Sequence, residues 1–170
     1  FRWEDGAMAG LGYLPGGTWS YANGVSADGA VVIGEAENGE GGFSAGFGWS
    51  NGVMSSLSEF PPDITHNYAT AISADGAFVV GLMDHTSGSS EAFRWSEGEI
   101  LGLGYLHDFG DGSHSTALAV SADGSVVVGR SVDGNESLQA FVWTVTRGMR
   151  RVIGVLAARG ATGFEGWELW

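Results

Sequence analysis

The residues of this chain able to do chemistry are few. Between His107 and His114, two imidazoles and two carboxylates (His107, Asp108, Asp111 and His114) fall close together. These are ligand types for Zn²⁺ or Ca²⁺, but their spacing matches neither a helical His-x-x-x-His pair nor a Ca²⁺-binding loop. A solvated glycine-rich turn is the simpler reading: no resident cofactor is expected, with Ca²⁺ the alternative the residue types leave open. Asp84, His85 and Ser87 are the types of a hydrolytic triad, yet side chains this close in sequence rarely converge in the required order, and no Gly-x-Ser-x-Gly elbow is present. Trp19, Tyr21, His66 and Tyr68 pair flat ring faces with hydrogen-bonding tips, which suits stacking on a sugar whose hydroxyls are read by polar neighbours. Rim packing, with only the polar tips wet, is the competing account. Arg147, Arg150 and Arg151 make a basic cluster fit either for an ion pair within the chain or for docking a partner.

Composition excludes several classes. All 7 basic residues are Arg, so no Lys is present to act as Schiff base or P-loop phosphate ligand. Without Cys there is no disulfide, thiolate chemistry or Cys-ligated metal. The formal charge of −13 is divided between −15 through Thr146 and +2 from Arg147 onward. Nucleic acid is therefore not expected as a partner, because binding to phosphates is driven by cation contacts and counterion release. No apolar run approaches the length of a membrane helix.

The elements that must position these groups repeat. Phe1-Arg2-Trp3, Phe47-Gly48-Trp49, Phe93-Arg94-Trp95 and Phe141-Val142-Trp143 recur at spacings of 46, 46 and 48. A second landmark, Ser26-Ala27-Asp28-Gly29, Ser73-Ala74-Asp75-Gly76 and Ser121-Ala122-Asp123-Gly124, keeps the same period and is followed each time by an apolar run ending in Gly34, Gly81 or Gly129. Two landmarks with one period define a repeat array of units 1–46, 47–92 and 93–140 and a partial unit 141–170.

Each unit reads as four short strands. Phe-x-Trp alternates as a half-buried strand does. The second strand runs through Leu11-Gly12-Tyr13-Leu14, through Leu101 to Leu106, or through Arg151 to Leu156. The third is Tyr68–Ile72 or Ala117–Val120. Asp-Gly then predicts a type I′ turn into a valine-rich fourth strand buried on both faces. No segment reads as a helix. The expected fold is all-β, an array of four-stranded antiparallel units like a β-propeller, about three and a half units long, with a β-solenoid as the alternative. The incomplete last unit predicts a segment of a longer array, with an open strand edge near Trp167 and Trp170 for a partner or another copy to cover.

The motifs Phe-Arg-Trp, Leu-Gly-Tyr-Leu-Pro-Gly-Gly and Val-Ser-Ala-Asp-Gly-x-Val-Val-x-Gly, as they stand from Phe1 to Gly34, resemble the bacterial extracellular HAF repeat family, and the resemblance extends over nearly the whole chain. It implies a secreted or cell-surface protein, in some cases an autotransporter passenger, and brings no catalytic or ligand residues with it. Gly48 and Val142 depart from the Arg of Phe-Arg-Trp, and Phe60-Pro61-Pro62 and His107-Asp108-Phe109 depart from Pro-Gly-Gly.

Asp28, Asp75 and Asp123 repeat too regularly to be a ligand set and are expected to bond their own turns, and Trp3, Trp49, Trp95 and Trp143 are expected to pack between units. Chemistry is then sought where the repeats disagree, in the connections between second and third strands. The expected function is an extracellular binding or structural module, not an enzyme, engaging a protein partner, itself or a glycan. Trp19, Tyr21, His66, Tyr68, His107, Asp108, Asp111 and His114 are the binding candidates, and Arg147, Arg150, Arg151, Trp167 and Trp170 the partner contacts. A secreted propeller-type hydrolase or lyase is the alternative.

Overall fold

The structure is a computed structural model, which describes residues 1–39, 43–57, 61–107, 110, 112–164 and 167. A short antiparallel pair comes first, β1 (Arg2–Glu4) and β2 (Ala7–Ala9). Three four-stranded antiparallel sheets follow. The first is β3 (Ser20–Val25), β4 (Val31–Glu37), β5 (Ser44–Ser50) and β6 (Val53–Ser56). The second is β7 (Ile64–Ile72), β8 (Val79–His85), β9 (Ser90–Ser96) and β10 (Glu99–Gly102), and the third is β11 (Ser115–Val120), β12 (Val126–Val132), β13 (Leu138–Thr144) and β14 (Gly148–Arg151). In each the strands lie side by side in chain order, the meander expected of a propeller-like unit.

Sheets and sequence units are out of step. The third strand of one unit pairs with its fourth, and the fourth hydrogen-bonds to the Phe-x-Trp strand of the next: Val32 pairs with Trp49, Val79 with Trp95 and Val127 with Trp143. Each sheet therefore straddles a unit boundary, and β1–β2 corresponds to the outer pairs β5–β6, β9–β10 and β13–β14. The shared register shows this correspondence: Trp3 faces Met8, Trp49 faces Met54, Trp95 faces Ile100 and Trp143 faces Met149.

The turns correct the sequence reading. In the Ser-Ala-Asp-Gly hairpins only the glycine has positive φ, 71° at Gly29, 77° at Gly76 and 66° at Gly124, and its N–H donates to the serine carbonyl three residues back. That geometry belongs to a longer loop with glycine at the last turn position, not to type I′. Paired positive-φ residues occur instead at Asp5-Gly6, Asn51-Gly52 and Glu97-Gly98, between the Phe-x-Trp strand and its outer neighbour.

The core lies between consecutive sheets. Ile33 and Leu57 of the first pack with Ile64, Ala69, Val79, Met83 and Phe93 of the second, and Val80 and Ala92 of the second pack with Ala117, Val127, Phe141 and Trp143 of the third. Phe47, Phe93 and Phe141 are fully buried. Each lies opposite the glycine that closes the valine-rich run, Gly34, Gly81 or Gly129. A Cβ at any of these glycines would stand 2.9 Å from the phenylalanine Cε1 and collide with a carbonyl of the inner strand, which is why the run ends in Gly.

Adjacent sheets are also tied at one repeated position. Each inner strand carries a bulge, between Ala22 and Gly24, Ala69 and Ala71, and Ala117 and Ala119. The bulged Asn23 donates from Nδ2 to the Ala69 carbonyl at 2.9 Å, and the bulged Thr70 donates from Oγ1 to the Ala117 carbonyl at 2.7 Å. The third bulge places Leu118 at this position, and its side chain is exposed.

Three further expectations are corrected. The strand expected from Arg151 to Leu156 does not form: β14 ends at Arg151, and α1 (Val152–Ala158) follows. Leu11–Leu14 lies outside any strand, with Leu11 and Leu14 buried in the connection between sheets. The valine-rich strands are covered on both faces in β4 and β8, but in β12 Val128 is exposed, because its side of the third sheet carries no further sheet among the described residues.

Candidate functional site

The inner strands β3, β7 and β11 begin at one end of the array, where the connections between sheets emerge. Aligning them by their bulges makes Trp19, His66 and His114 equivalent, and likewise Tyr21, Tyr68 and Thr116. Across the hairpin Tyr21 faces Glu35, Tyr68 faces Leu82 and Thr116 faces Arg130. The scaffold repeats, whereas these positions change from sheet to sheet.

Trp19 and Tyr21 are in ring contact at 5.4 Å with planes tilted by 42°. His66 stacks on Tyr68 at 6.2 Å and meets the edge of Phe43 at 5.2 Å. Its Nδ1 is 3.1 Å from Thr65 Oγ1, which in turn donates to the Asp84 carbonyl. Burial pushes the Tyr68 phenol up, the negative charges of Asp84 and Glu35 push it further, and a hydrogen bond with Ser44 works the other way. Burial likewise raises Glu35. His114, with Nε2 3.1 Å from Thr116 Oγ1, is held below the usual imidazole range by burial and then by the Arg130 cation, against the pull of Asp84. At neutral pH Tyr68 is thus a phenol and His114 a neutral imidazole, each able to exchange hydrogen bonds with an uncharged ligand.

Of the sequence candidates, Trp19, Tyr21, His66, Tyr68 and His114 lie on this end. His107 is exposed and lies near Gly134, while Asp108 and Asp111 fall outside the described residues, as does Trp170. No group of three His, Asp or Glu able to hold a metal gathers among the described residues. Asp28, Asp75 and Asp123 each accept a 2.6 Å bond from the serine of their own turn, a local role.

The triad types do not assemble. His85 lies between two carboxylates, Nδ1 3.5 Å from Asp63 and Nε2 3.1 Å from Glu91, while Ser87 Oγ is 2.9 Å from Ser89 Oγ. Glu91 also accepts the Gly104 N–H, so this group clamps β9 to the connection beyond β10.

In the basic cluster, Arg151 pairs with buried Asp133, whose carboxylate also accepts the Asn135 and Ser137 N–H groups and so closes the β12–β13 turn. This ion pair joins the partial unit 141–170 to the preceding unit 93–140, within one sheet. Arg150 lines a cavity of about 410 Å³ with Leu106, Met149 and α1, whereas Arg147 and Trp167 are exposed.

Glu35, Phe43, Ser44, Thr116 and Arg130 were not among the candidates read from the sequence. Hairpin register would have found Glu35 and Arg130, since each lies directly opposite an inner-strand position already singled out or equivalent to one.

These sheets and their order define a propeller-like repeat protein. No family model and no curated protein matches the chain. Among solved structures it is similar to TolB from Acinetobacter baumannii, at 15% identity and TM-score 0.52 over 76% of this chain and 31% of that one. A putative TolB from Agrobacterium tumefaciens matches at 18% identity and TM-score 0.55, over 75% of this chain and 44% of that one. A prolyl endopeptidase matches at 12% identity and TM-score 0.56, over 81% of this chain and 22% of that one. At such identities the likeness is one of fold. The chain spans less than half the length of each of these proteins.

Proposed function

We propose that the chain is a non-enzymatic binding module that takes a glycan on the end built by Tyr21, Glu35, His66, Tyr68 and His114. The observation that carries this reading is the contrast between a scaffold that repeats and a face that does not: Trp19, His66 and His114 occupy one structural position, and Tyr21, Tyr68 and Thr116 another. A module keeps its frame and varies its contacts in this way. Ring faces at Tyr21 and in the His66–Tyr68 stack offer apolar contact to a pyranose, and the phenol, the neutral imidazole and the Glu35 carboxyl supply directed hydrogen bonds. The resemblance to extracellular repeats supports a location at the cell surface or outside the cell.

A glycan array followed by titration of the best hit tests the reading. Tyr68→Phe and Tyr21→Ala should each weaken binding roughly 10-fold or more, the cost of removing one well-placed polar or stacking contact. The thermal midpoint should stay within a degree or two, since Tyr21 is 62% exposed. An array without hits overturns the glycan assignment. Release of new reducing ends or unsaturated sugars from a bound hit would make the protein a hydrolase or lyase instead.

A further inference from the structure

In each complete sheet the outer pair of strands is covered along its inner edge by a Ser-Ala-Asp-Gly hairpin. β5 pairs with β4, β9 with β8 and β13 with β12. β1 is the equivalent strand of the first pair, and among the described residues it pairs with β2 alone. The consequence is visible at its aromatic residues. Phe47, Phe93 and Phe141 are 0% exposed, whereas the equivalent Phe1 is 73% exposed, and Trp143 is 6% exposed against 65% for Trp3. The next inner strand is bared in the same way. Ala69 and Ala117 are fully buried by the sheet before them, but the equivalent Ala22 is exposed.

Between these surfaces run two adjoining cavities of about 620 Å³ each. Phe1 to Glu4 line one side, and Ser20 to Val25 with Glu35, Asp28 and Gly29 line the other. The groove is thus bounded by an unpaired strand edge, two aromatic rings and a small-residue inner strand.

We propose that this groove is a docking site for a β-hairpin of the repeat's own kind: a strand of small residues, a Ser-Ala-Asp-Gly turn, and a Val-Val-x-Gly strand that pairs with β1. The molecule itself supplies three examples of the occupant on the equivalent edge. They specify its contacts: valine opposite Trp3, glycine opposite Phe1, and an Asn or Thr at the bulge to donate to the Ala22 carbonyl, as Asn23 donates to Ala69 and Thr70 to Ala117. Docking would turn β1–β2 into the outer half of a fourth four-stranded sheet. Long neighbours or bulky side chains opposite Phe1 are excluded by the same packing that admits only glycine at Gly34, Gly81 and Gly129.

The test uses the 170-residue chain and a synthetic peptide of its own third hairpin, Thr116–Ser131, carrying Leu118→Thr so that the bulge position can donate as Thr70 does. Titration calorimetry should give saturable one-to-one binding, and hydrogen exchange at Arg2–Glu4 should slow by roughly 10-fold or more as the edge becomes paired. Trp3→Ala and Phe1→Ala should weaken binding about 10-fold or more without moving the thermal midpoint of the three sheets, because both side chains are exposed in the free chain. The Gly129→Val peptide should not bind. Isolated hairpins are marginal in water, so a second version joins Thr116–Ala140, with the same Leu118→Thr change, directly ahead of Phe1, which keeps the Gly129–Phe141 register for Phe1 and lets effective concentration replace affinity. There the protection of β1 should approach that of β9. The proposal is overturned if neither form protects Arg2–Glu4, if the Gly129→Val hairpin works as well, or if light scattering shows the free chain already pairing β1 with a second copy. Tyr21 and Glu35 line both this groove and the proposed glycan end, whereas His66, Tyr68 and His114 do not line the groove, so glycan contacts at those three residues are not tested by these outcomes.

Discussion

At the scale of single residues, the aspartates of the three hairpins show how a repeated acid can be structural. Asp123 accepts bonds from the Ser121 hydroxyl and from the backbone and side chain of Ser125, and these hold its carboxyl at about 2, below the usual aspartate value of 3.8. Asp28 and Asp75 are lowered for the same reason, first by the hydroxyls of Ser26 and Ser73. Because the folded-state value is the lower one, the contribution is complete above the unfolded value near 3.8 and is lost as pH falls toward 2. Asp123→Asn should therefore lower the denaturation midpoint at pH 7, and the gap to the parent protein should close between pH 4 and 2. A gap that persists at pH 2 would mean the residue acts by shape, not charge. The role of these residues was legible from the sequence, since Asp before Gly within a repeated turn signals local bonding. The turn type was not, because Asp-Gly also occurs at Asp5-Gly6, and only backbone angles distinguish the two settings.

At the scale of strands and sheets, the phenylalanine–glycine pairs carry most of the specificity. Phe93→Ala should cost about 3–5 kcal/mol by chemical denaturation, as expected for emptying a closed core site. Gly81→Val, whose Cβ would collide with the Tyr68 carbonyl, should prevent the second sheet from forming a normal hairpin, read as lost strand signal in circular dichroism. Thr70→Val should cost about 0.5–1.5 kcal/mol, the worth of one hydrogen bond, despite nearly unchanged volume. Strand identity was legible from the valine runs and Phe-x-Trp alternation. Their grouping was not, because the period of a repeat is the same wherever the unit is cut. Helix α1 was also missed: Val152-Ile153-Gly154-Val155-Leu156 has the composition of a strand, and it becomes helical only where β14 has ended and Met149 and Leu106 offer a surface beside it. The candidate end was half legible, since aromatic residues stand out in sequence, whereas Glu35 and Arg130 join it only through register.

At the scale of the whole molecule, each sheet buries its face only against its neighbours, so protection should rise toward the middle of the array. Hydrogen exchange should find β8 and β9 slowest and β1–β2 fastest, the latter pair being exposed at Phe1, Trp3 and Met8. Equal protection across all sheets would indicate one all-or-none unit. The offset between sequence unit and sheet has a further result for biosynthesis. As the ribosome completes each copied stretch, the newest hairpin has emerged without the pair of strands that will shield it, and it must wait for the following copy to be translated. Nascent chains of this kind always trail an unfinished sheet, and the courses overlap like staggered brickwork, so the seam between two copies is never a seam in the wall.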